Sequence, residues 1–452
     1  MNEPRKRPEI PAHILEYTLD ATARLVEIPS LAAEGRGITE SAALVRELLG
    51  AEGVRTELHE TGGAPVVFGQ GGNPDGPTIL FYNHYDVQPA EPLDAWSSDP
   101  WTLTRSGDSW YGRGAADDKG EIASRLAALR LYRERHGELP FQVKFLIEGE
   151  EEIGSPNLAR YIEQHAEELA ADAVVWEFGA VDSADRPMTY TGLKGIISAE
   201  LSIRTAKHDL HSGFSPVIEN AAYRLAAALV SLRSPDGRVL IDGFYDDVRP
   251  VSDAEERALV ALPPEDDELK AAFELDGFIG DLSGTDLHRR LYLEPVFSIN
   301  AFESGYNGPG IRVSLPATAR ARIDIRLVPD QDPSRVWDQL QAQLKRNGYG
   351  DIELRVLDHF EAGARSDIEH PFVQMSVRAL REVYGQEPSL FPSSFGSGPM
   401  HPFVKHLGAP IAGLGIGYPG SRIHGPDEHI RLQDIHGGIA TLARLFELYA
   451  GK

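Results

Sequence analysis

A change of rhythm along the chain constrains the fold most. Near both ends, short apolar runs alternate with stretches of helix length, whereas the middle runs strand, helix, strand, strand, helix, strand. Ile14, Tyr17, Ala21, Leu25 and Ile28 recur at helical spacing, and Pro29 closes that helix. Thr78 to Tyr82 reads as a strand, Asp118 to Arg135 as a helix opening with acids, Phe141 to Ile147 and Ala173 to Trp176 as further strands. After Ile368 the same character returns, with a helix over Phe372 to Tyr384, a strand over Pro410 to Gly415 and a last helix over Gln433 to Tyr449. Strands alternating with helices predict an α/β domain with a largely parallel sheet. Between these parts lie strands over Gly195 to Thr205, Val296 to Phe302, Ala319 to Val328 and Ile352 to Asp358, with helices over Asn220 to Arg233 and Pro333 to Arg346. That βαββαβ order fits a ferredoxin-like α+β sandwich. The expected organisation is a discontinuous domain, residues 1–190 and 366–452, with a second domain at 191–365 inserted into it. An acidic, proline-containing insertion carrying some helix, about 235–293, interrupts the second domain.

The 452 residues suffice for two such domains. There is no cysteine, so thiolate metal sites and a cysteine nucleophile are excluded, and any metal must sit on His, Asp and Glu. A net charge of −25 argues against nucleic acid or an anionic membrane as partner. Met1 to Pro11 is basic and polar with no apolar stretch behind it, unlike a secretory signal, and no run approaches a membrane span. A cytoplasmic location is the default expectation, with a leaderless export route left open.

Four segments offer oxygen and imidazole groups at or just after the ends of predicted strands, the edge where open α/β sheets bind ligands. The first is His84-Tyr85-Asp86, in which residues two apart share a face, so that Asp86 can orient the His84 imidazole. The second runs from Tyr111 through Gly112, Arg113 and Gly114 to Asp117 and Asp118, before a helix. The third is the acidic turn Glu148 to Glu152, followed by Ile-Gly-Ser155. The fourth is a Gly/Pro-framed loop from Ser421 through His424 to Glu428. Taken singly, each has a plain structural explanation: a packed histidine, a helix cap at Asp117, a solvated acidic run, an exposed loop histidine. Together, a strand that ends in adjacent carboxylates calls for cations, and two would satisfy it.

In this order the four segments resemble the M20 family of metallopeptidases, from about Leu19 to the C-terminus. Asn83-His-Tyr-Asp-Val-Gln-Pro89, Asp99-Pro-Trp-Thr-Leu103, Tyr111-Gly-Arg-Gly114 and Ile325-Arg-Leu-Val-Pro329 are most similar to the carnosinase-like dipeptidase branch. The resemblance implies a zinc-peptidase-like α/β/α catalytic domain and an inserted lid and dimerisation domain. It implies two divalent metal ions per subunit, zinc first, with manganese or cobalt also suited to His and carboxylate ligands. Asp117 would bridge both ions and precede a cis peptide. His84 and Glu177 would hold one ion, Glu152 and His424 the other. Glu151 would be the general base and Asp86 the orienting acid. Lys207-His-Asp-Leu-His-Ser-Gly213 resembles the motif whose histidine reaches the neighbouring subunit's active site, which assigns an oxyanion role to His211, with His208 as the second candidate. Arg326 would grip the substrate carboxylate, and the loop with Ser397 and Gly398 would touch the substrate terminus. One position departs from the dipeptidase pattern: Glu177 stands where that branch usually has Asp, with Asp182 as a fallback ligand.

The function expected on this basis is hydrolysis of the amide bond of dipeptides or short peptides that carry a free C-terminal carboxylate, by a homodimer. Removal of an N-acyl or N-carbamoyl group from an amino acid is the alternative, because the chemistry is shared. A serine hydrolase is disfavoured by the lack of a G-x-S-x-G elbow. The G-x-G-x-x-G at Gly415, Gly417 and Gly420 contains Pro419 and leads into Ser421-Arg-Ile-His, not into a helix, so it predicts no dinucleotide site. A binding module that kept the fold but lost catalysis would miss a ligand or the base, and all six of those positions are filled.

Overall fold

The computed structural model describes residues 10–452, with the backbone alone at 358 and 359. The basic stretch at the N-terminus therefore lies, up to residue 9, outside the described residues. The chain forms two compact units. The first comprises Met1–Gly192, Arg365–Pro392 and Pro402–Lys452, and the second Leu193–Ala364 with Ser393–His401.

Six strands form the main sheet of the first unit: β1 (Arg55–His59), β2 (Val66–Gly72), β3 (Thr78–His84), β4 (Gln142–Glu148), β5 (Ala173–Trp176) and β6 (Ile411–Gly413). Their order across the sheet is β1-β2-β4-β3-β5-β6. β4, β3, β5 and β6 run parallel, while β1 and β2 add an antiparallel edge beside β4. Every residue of β3 and β5 is buried, as expected of parallel strands covered on both faces. The covering helices include α1 (Ala12–Val26), α2 (Ile38–Ala51), α3 (Lys119–His136), α4 (Pro371–Tyr384) and α5 (Leu432–Tyr449). α3 is buried nearly all round, and its leucines and alanines share one core with Phe81 and Phe145 of the sheet and Phe446 of α5. Two ionic groups within α3, Glu121 and Arg125, are buried as a pair one helical turn apart.

In the register of the parallel strands, His84 lies beside Glu148, and β5 ends one residue before Glu177. Three neighbouring strands thus deliver polar residues to one edge. A small antiparallel sheet of Thr104–Ser106, Ser109–Tyr111 and His429–Arg431 pairs Tyr111 with His429. It ties the segment leading to Asp117 to the segment following His424. The turn around Gly417 pairs with Ala180, and no helix follows it until α5.

The second unit is a four-stranded antiparallel sheet in the order Val296–Ser304, Thr318–Leu327, Gly195–Arg204, Glu353–Glu361. Helices Ala221–Val230 and Pro333–Arg346 pack on it, which completes the βαββαβ sandwich. Asn220 and Asp332 cap the two helices through their side chains, and Pro333 stands in the first turn of the second. Thr318–Leu327 alternates exposed and buried, and Leu225, Leu340 and Leu344 cover its inward residues. The acidic insertion carries helices Asp253–Ala261, Asp266–Phe273 and Gly284–His288. One segment departs from the predicted boundaries: Ser393–His401 groups with the second unit, because Lys194 N–H donates to the Gly396 carbonyl and Ser397 binds Arg326.

Candidate metal centre

Asp117 sits at the middle of the cluster. Its peptide bond to Asp118 is cis. One carboxylate oxygen, Oδ1, lies 3.0 Å from His84 Nε2, and the other, Oδ2, lies 3.1 Å from His424 Nε2. The His424 nitrogen is also 3.2 Å from Glu152 Oε2. His84, Asp117 and Glu152 each bring a ligand atom into one group in which all separations are under 4.8 Å, and His84, Asp118 and Glu177 do so in a second. The structure places His84, Asp117, Glu152, Glu177 and His424 in one cluster, with Asp118 as an additional carboxylate. Two oxygens in the cluster, Glu152 Oε1 and Glu177 Oε2, are buried and accept no hydrogen bond. Buried, unpartnered carboxylate oxygens facing imidazoles fit bound divalent cations.

The electrostatics point the same way. Burial, reinforced by the neighbouring carboxylates, pushes the pKa of Glu151 and Glu177 well above the carboxylate range, and burial does the same to Asp118. For Asp117 burial also acts upward, but the contacts to His424 and His84 prevail and hold it below that range. His424 is raised to about 10 by Asp117 and Glu152. On His84 burial opposes a charge, and Asp117 and Asp86 outweigh it, so its pKa also rises well above that of free imidazole. Crowded buried acids form a charge imbalance that bound cations would relieve.

Each member is fixed by a specific support. Asp118 does not cap α3, although it opens the predicted helix; its Oδ2 accepts from Asn83 Nδ2 (2.7 Å) and from the His84 N–H (2.9 Å). Asp86 plays a wider part than steadying the imidazole. Its Oδ1 is 3.5 Å from His84 Nδ1, which lies nearer the Asp86 carbonyl at 3.1 Å. The two carboxylate oxygens accept the N–H groups of Glu151 (3.2 Å) and Glu152 (3.0 Å), and so clamp the acidic turn. Gln88 donates to Glu152 Oε2 at 2.9 Å.

Two buried ion pairs brace the loops. Glu428 binds Arg113 at 2.5 Å and accepts the N–H groups of Ala116 and Asp117. Arg113 in turn donates to the His424 carbonyl at 3.1 Å. Arg125, paired with Glu121, donates to the carbonyls of Trp176, Glu177 and Leu414. These supports carry no role in the sequence reading. The signal available for them was charge inside otherwise apolar or glycine-rich segments: Glu121 and Arg125 in an alanine- and leucine-rich helix, Arg113 between two glycines. His424 itself has φ +64°, and its side chain is about half exposed, so the cluster opens on that side. Asp182, the fallback ligand, instead accepts the N–H groups of Ala184 and Arg186 and shapes a turn.

The second unit holds the other candidates. Arg326 Nη1 donates to Ser397 Oγ at 2.7 Å, and Ser397 lies beside Gly195 O at 3.3 Å. The structure thus joins Arg326 to the Ser397–Gly398 loop. Lys194, buried nearby, donates to the Glu294 carbonyl; burial and then Arg326 push its pKa down to about 7. His211 is exposed at the end of a two-residue strand, and its Nδ1 accepts from the Gly213 N–H at 3.0 Å. His208 is likewise exposed.

Residues 80–448 match the model of peptidase family M20/M25/M40. The beta-Ala-His dipeptidase of Rattus norvegicus is 29% identical over 335 residues, 72% of this chain and 68% of that protein. The Cys-Gly metallodipeptidase dug1 of Schizosaccharomyces pombe is 29% identical over 386 residues, 83% of this chain and 80% of that protein. The solved structure of the M20 family metallo-carboxypeptidase Sso-CP2 from Sulfolobus solfataricus superposes with a TM-score of 0.89 at 35% identity, covering 96% of this chain and 99% of that one. Human carnosine dipeptidase 1 superposes with a TM-score of 0.79 at 25% identity, covering 98% of each chain.

Proposed function

The chain belongs to peptidase family M20/M25/M40, and from that premise we propose that it is a two-metal hydrolase of dipeptides or short peptides with a free C-terminal carboxylate. One observation carries this reading: the two oxygens of Asp117 face two different histidines, while Glu152 and Glu177 each keep a buried oxygen without a partner. His84 and Glu177 would hold one cation, Glu152 and His424 the other, and Asp117 both. Bound there, the cations supply Lewis acidity toward a water and the scissile carbonyl. Zinc is the first choice for these ligands, with manganese and cobalt as alternatives.

Glu151 is the proton carrier. As a carboxylate it can take the proton of the attacking water and release it to the leaving amine. Asp86 holds its backbone N–H and thereby its place at the end of β4. Arg326 offers the planar fork suited to the substrate carboxylate, with Ser397 steadying it, and His211 is the donor for the oxyanion. The exposed position of His211 fits a group that acts on a second copy, and a homodimer is part of the proposal. So is a cytoplasmic location. Among the described residues no helix is long and apolar enough to cross a membrane.

The longer side chain at Glu177 leaves a second reading, hydrolysis of N-acyl or N-carbamoyl amino acids. A panel of unblocked dipeptides, N-blocked dipeptides and N-acyl amino acids, assayed with zinc, manganese and cobalt, separates the two. The expected result is turnover of unblocked dipeptides, lost in Glu151→Ala while its metal content stays that of wild type. Turnover confined to N-acyl amino acids would replace the first reading by the second. No turnover with any metal would sink both.

A further inference from the structure

His59, His165 and Glu168 form a group outside the cluster described above and share no residue with it. One ligand atom from each lies within 4.8 Å of the others. Glu168 Oε2 is 3.0 Å from His165 Nδ1 and 3.9 Å from His59 Nδ1. Ligand atoms around a tetrahedral zinc ion stand about 3.4 Å apart, given bond lengths of about 2.0–2.1 Å, and these two separations bracket that value. We propose that His59, His165 and Glu168 bind an additional divalent cation of the zinc class, mononuclear and open to solvent.

The backbone holds the three side chains in place. His59 ends the edge strand β1, paired with Val66 of β2. His165 is the joint between the short helices Leu158–Gln164 and Ala166–Leu169, bonded through its N–H to the Tyr161 carbonyl. Lys144 of β4 donates to the carbonyls of Glu168 and Ala170, at 2.7 Å each, and so fixes the turn that carries Glu168.

Ring packing accounts for part of this arrangement. The His59 ring stacks on Phe68 and on His165, with centroids 5.6 Å and 4.9 Å apart. Stacking sets the planes of the rings, but it does not require both Nδ1 atoms to face one carboxylate oxygen. The Tyr161 hydroxyl also lies 2.8 Å from His59 Nδ1, a neighbour that a cation on that nitrogen would displace. His59 Nε2 lies 3.7 Å from Glu57 Oε2, so a proton on that nitrogen has a carboxylate beside it. Protonation at Nε2 leaves the Nδ1 lone pair for a metal ion. Two imidazoles and one carboxylate, each only partly buried, leave a coordination position for water.

The test is a zinc count on the full chain, stripped with a chelator and dialysed to equilibrium against zinc chloride. Wild type should bind one ion per chain more than the double variant His59→Gln/His165→Gln, with dipeptide turnover unchanged. Equal counts would overturn the proposal, whatever their value. Should the double variant melt early by circular dichroism, Glu168→Gln is counted in its place, and the same difference of one is expected. The comparison does not depend on whether the centre around Asp117 is occupied, so its failure and that of the hydrolase reading are separable.

Discussion

The candidate groups of the two units are held in different ways. In the first unit His84 is buried, Glu152 and Glu177 each keep a buried oxygen, and the supports behind them are buried ion pairs, Arg113 with Glu428 and Arg125 with Glu121. In the second unit His211 is exposed, and Arg326, about a third exposed, is met by one hydroxyl and, at 3.8 Å, by Asp324. The difference follows from what each set is proposed to bind. Crowded acids can face a cation only where water is limited, and that burial obliges the fold to supply matching charges behind them. A group that meets a substrate from solvent must stay accessible and is left with few partners. Changes at the candidate groups of the first unit should therefore register in metal content and stability, and those at the candidate groups of the second in turnover kinetics with metal content kept.

The strongest break of this contrast is at Asp117. In Asp117→Asn one oxygen becomes an amide donor facing an imidazole, and neither pair of ligands keeps its shared carboxylate. Metal analysis should show the loss of at least one ion per chain, with hydrolysis at background. Retention of both ions with wild-type turnover would remove Asp117 from the centre.

A second test compares ion pairs across the units. Glu428→Gln leaves Arg113 charged and buried without its partner, which should cost about 3–5 kcal/mol of stability. Asp351→Asn breaks the Arg224 pair on the surface of the second unit and should cost at most about 1 kcal/mol. Chemical denaturation measures both. Similar costs at the two places would mean that the braced and unbraced halves do not differ in the way described.

The sequence shows the candidate ligands more readily than their supports. His84, Asp117, Glu152, Glu177 and His424 stand at strand ends or in glycine-framed loops, where a charged or imidazole side chain is conspicuous. Asp118 reads as the first residue of a helix because acids suit a helix N-terminus; only the fold brings it to Asn83 and the His84 N–H. The helix Pro333–Arg346 is visible in full, since Asp332, Pro333 and the apolar stripe agree. The β1–β2 hairpin is not. Arg55–His59 is largely exposed with no apolar alternation, and β2 ends in Gly71-Gly72, so neither strand has a period-two pattern. The sequence boundaries place Ser393–His401 in the first domain; its contacts with Lys194 and Arg326, which group it with the second unit, join segments about 200 and 70 residues away.

Within the second unit, Arg326→Lys keeps the charge and removes the planar fork. The expected effect is a rise in KM on the order of tenfold to a hundredfold for a dipeptide, with kcat, metal content and melting temperature little changed. An equal fall in kcat with KM constant would place Arg326 in the chemical step and not in ground-state binding.

Ser397→Ala is the mildest change and the finest probe of the contrast. It deletes the acceptor 2.7 Å from Arg326 Nη1 and leaves the guanidinium charged. Arg326 is partly open, so water can take the vacated position, and the loss should be that of one modest hydrogen bond, about 1 kcal/mol. That corresponds to roughly a fivefold rise in KM. If the hydroxyl acts only by steadying Arg326, Ser397→Ala made on top of Arg326→Lys should add almost nothing, and the pair would be non-additive. Full additivity would mean that Ser397 touches the substrate by itself. A drop in metal content or in melting temperature would instead make Ser397 part of the framework that holds Ser393–His401 to the second unit, and the division between braced ligands and free substrate groups would fail at this loop.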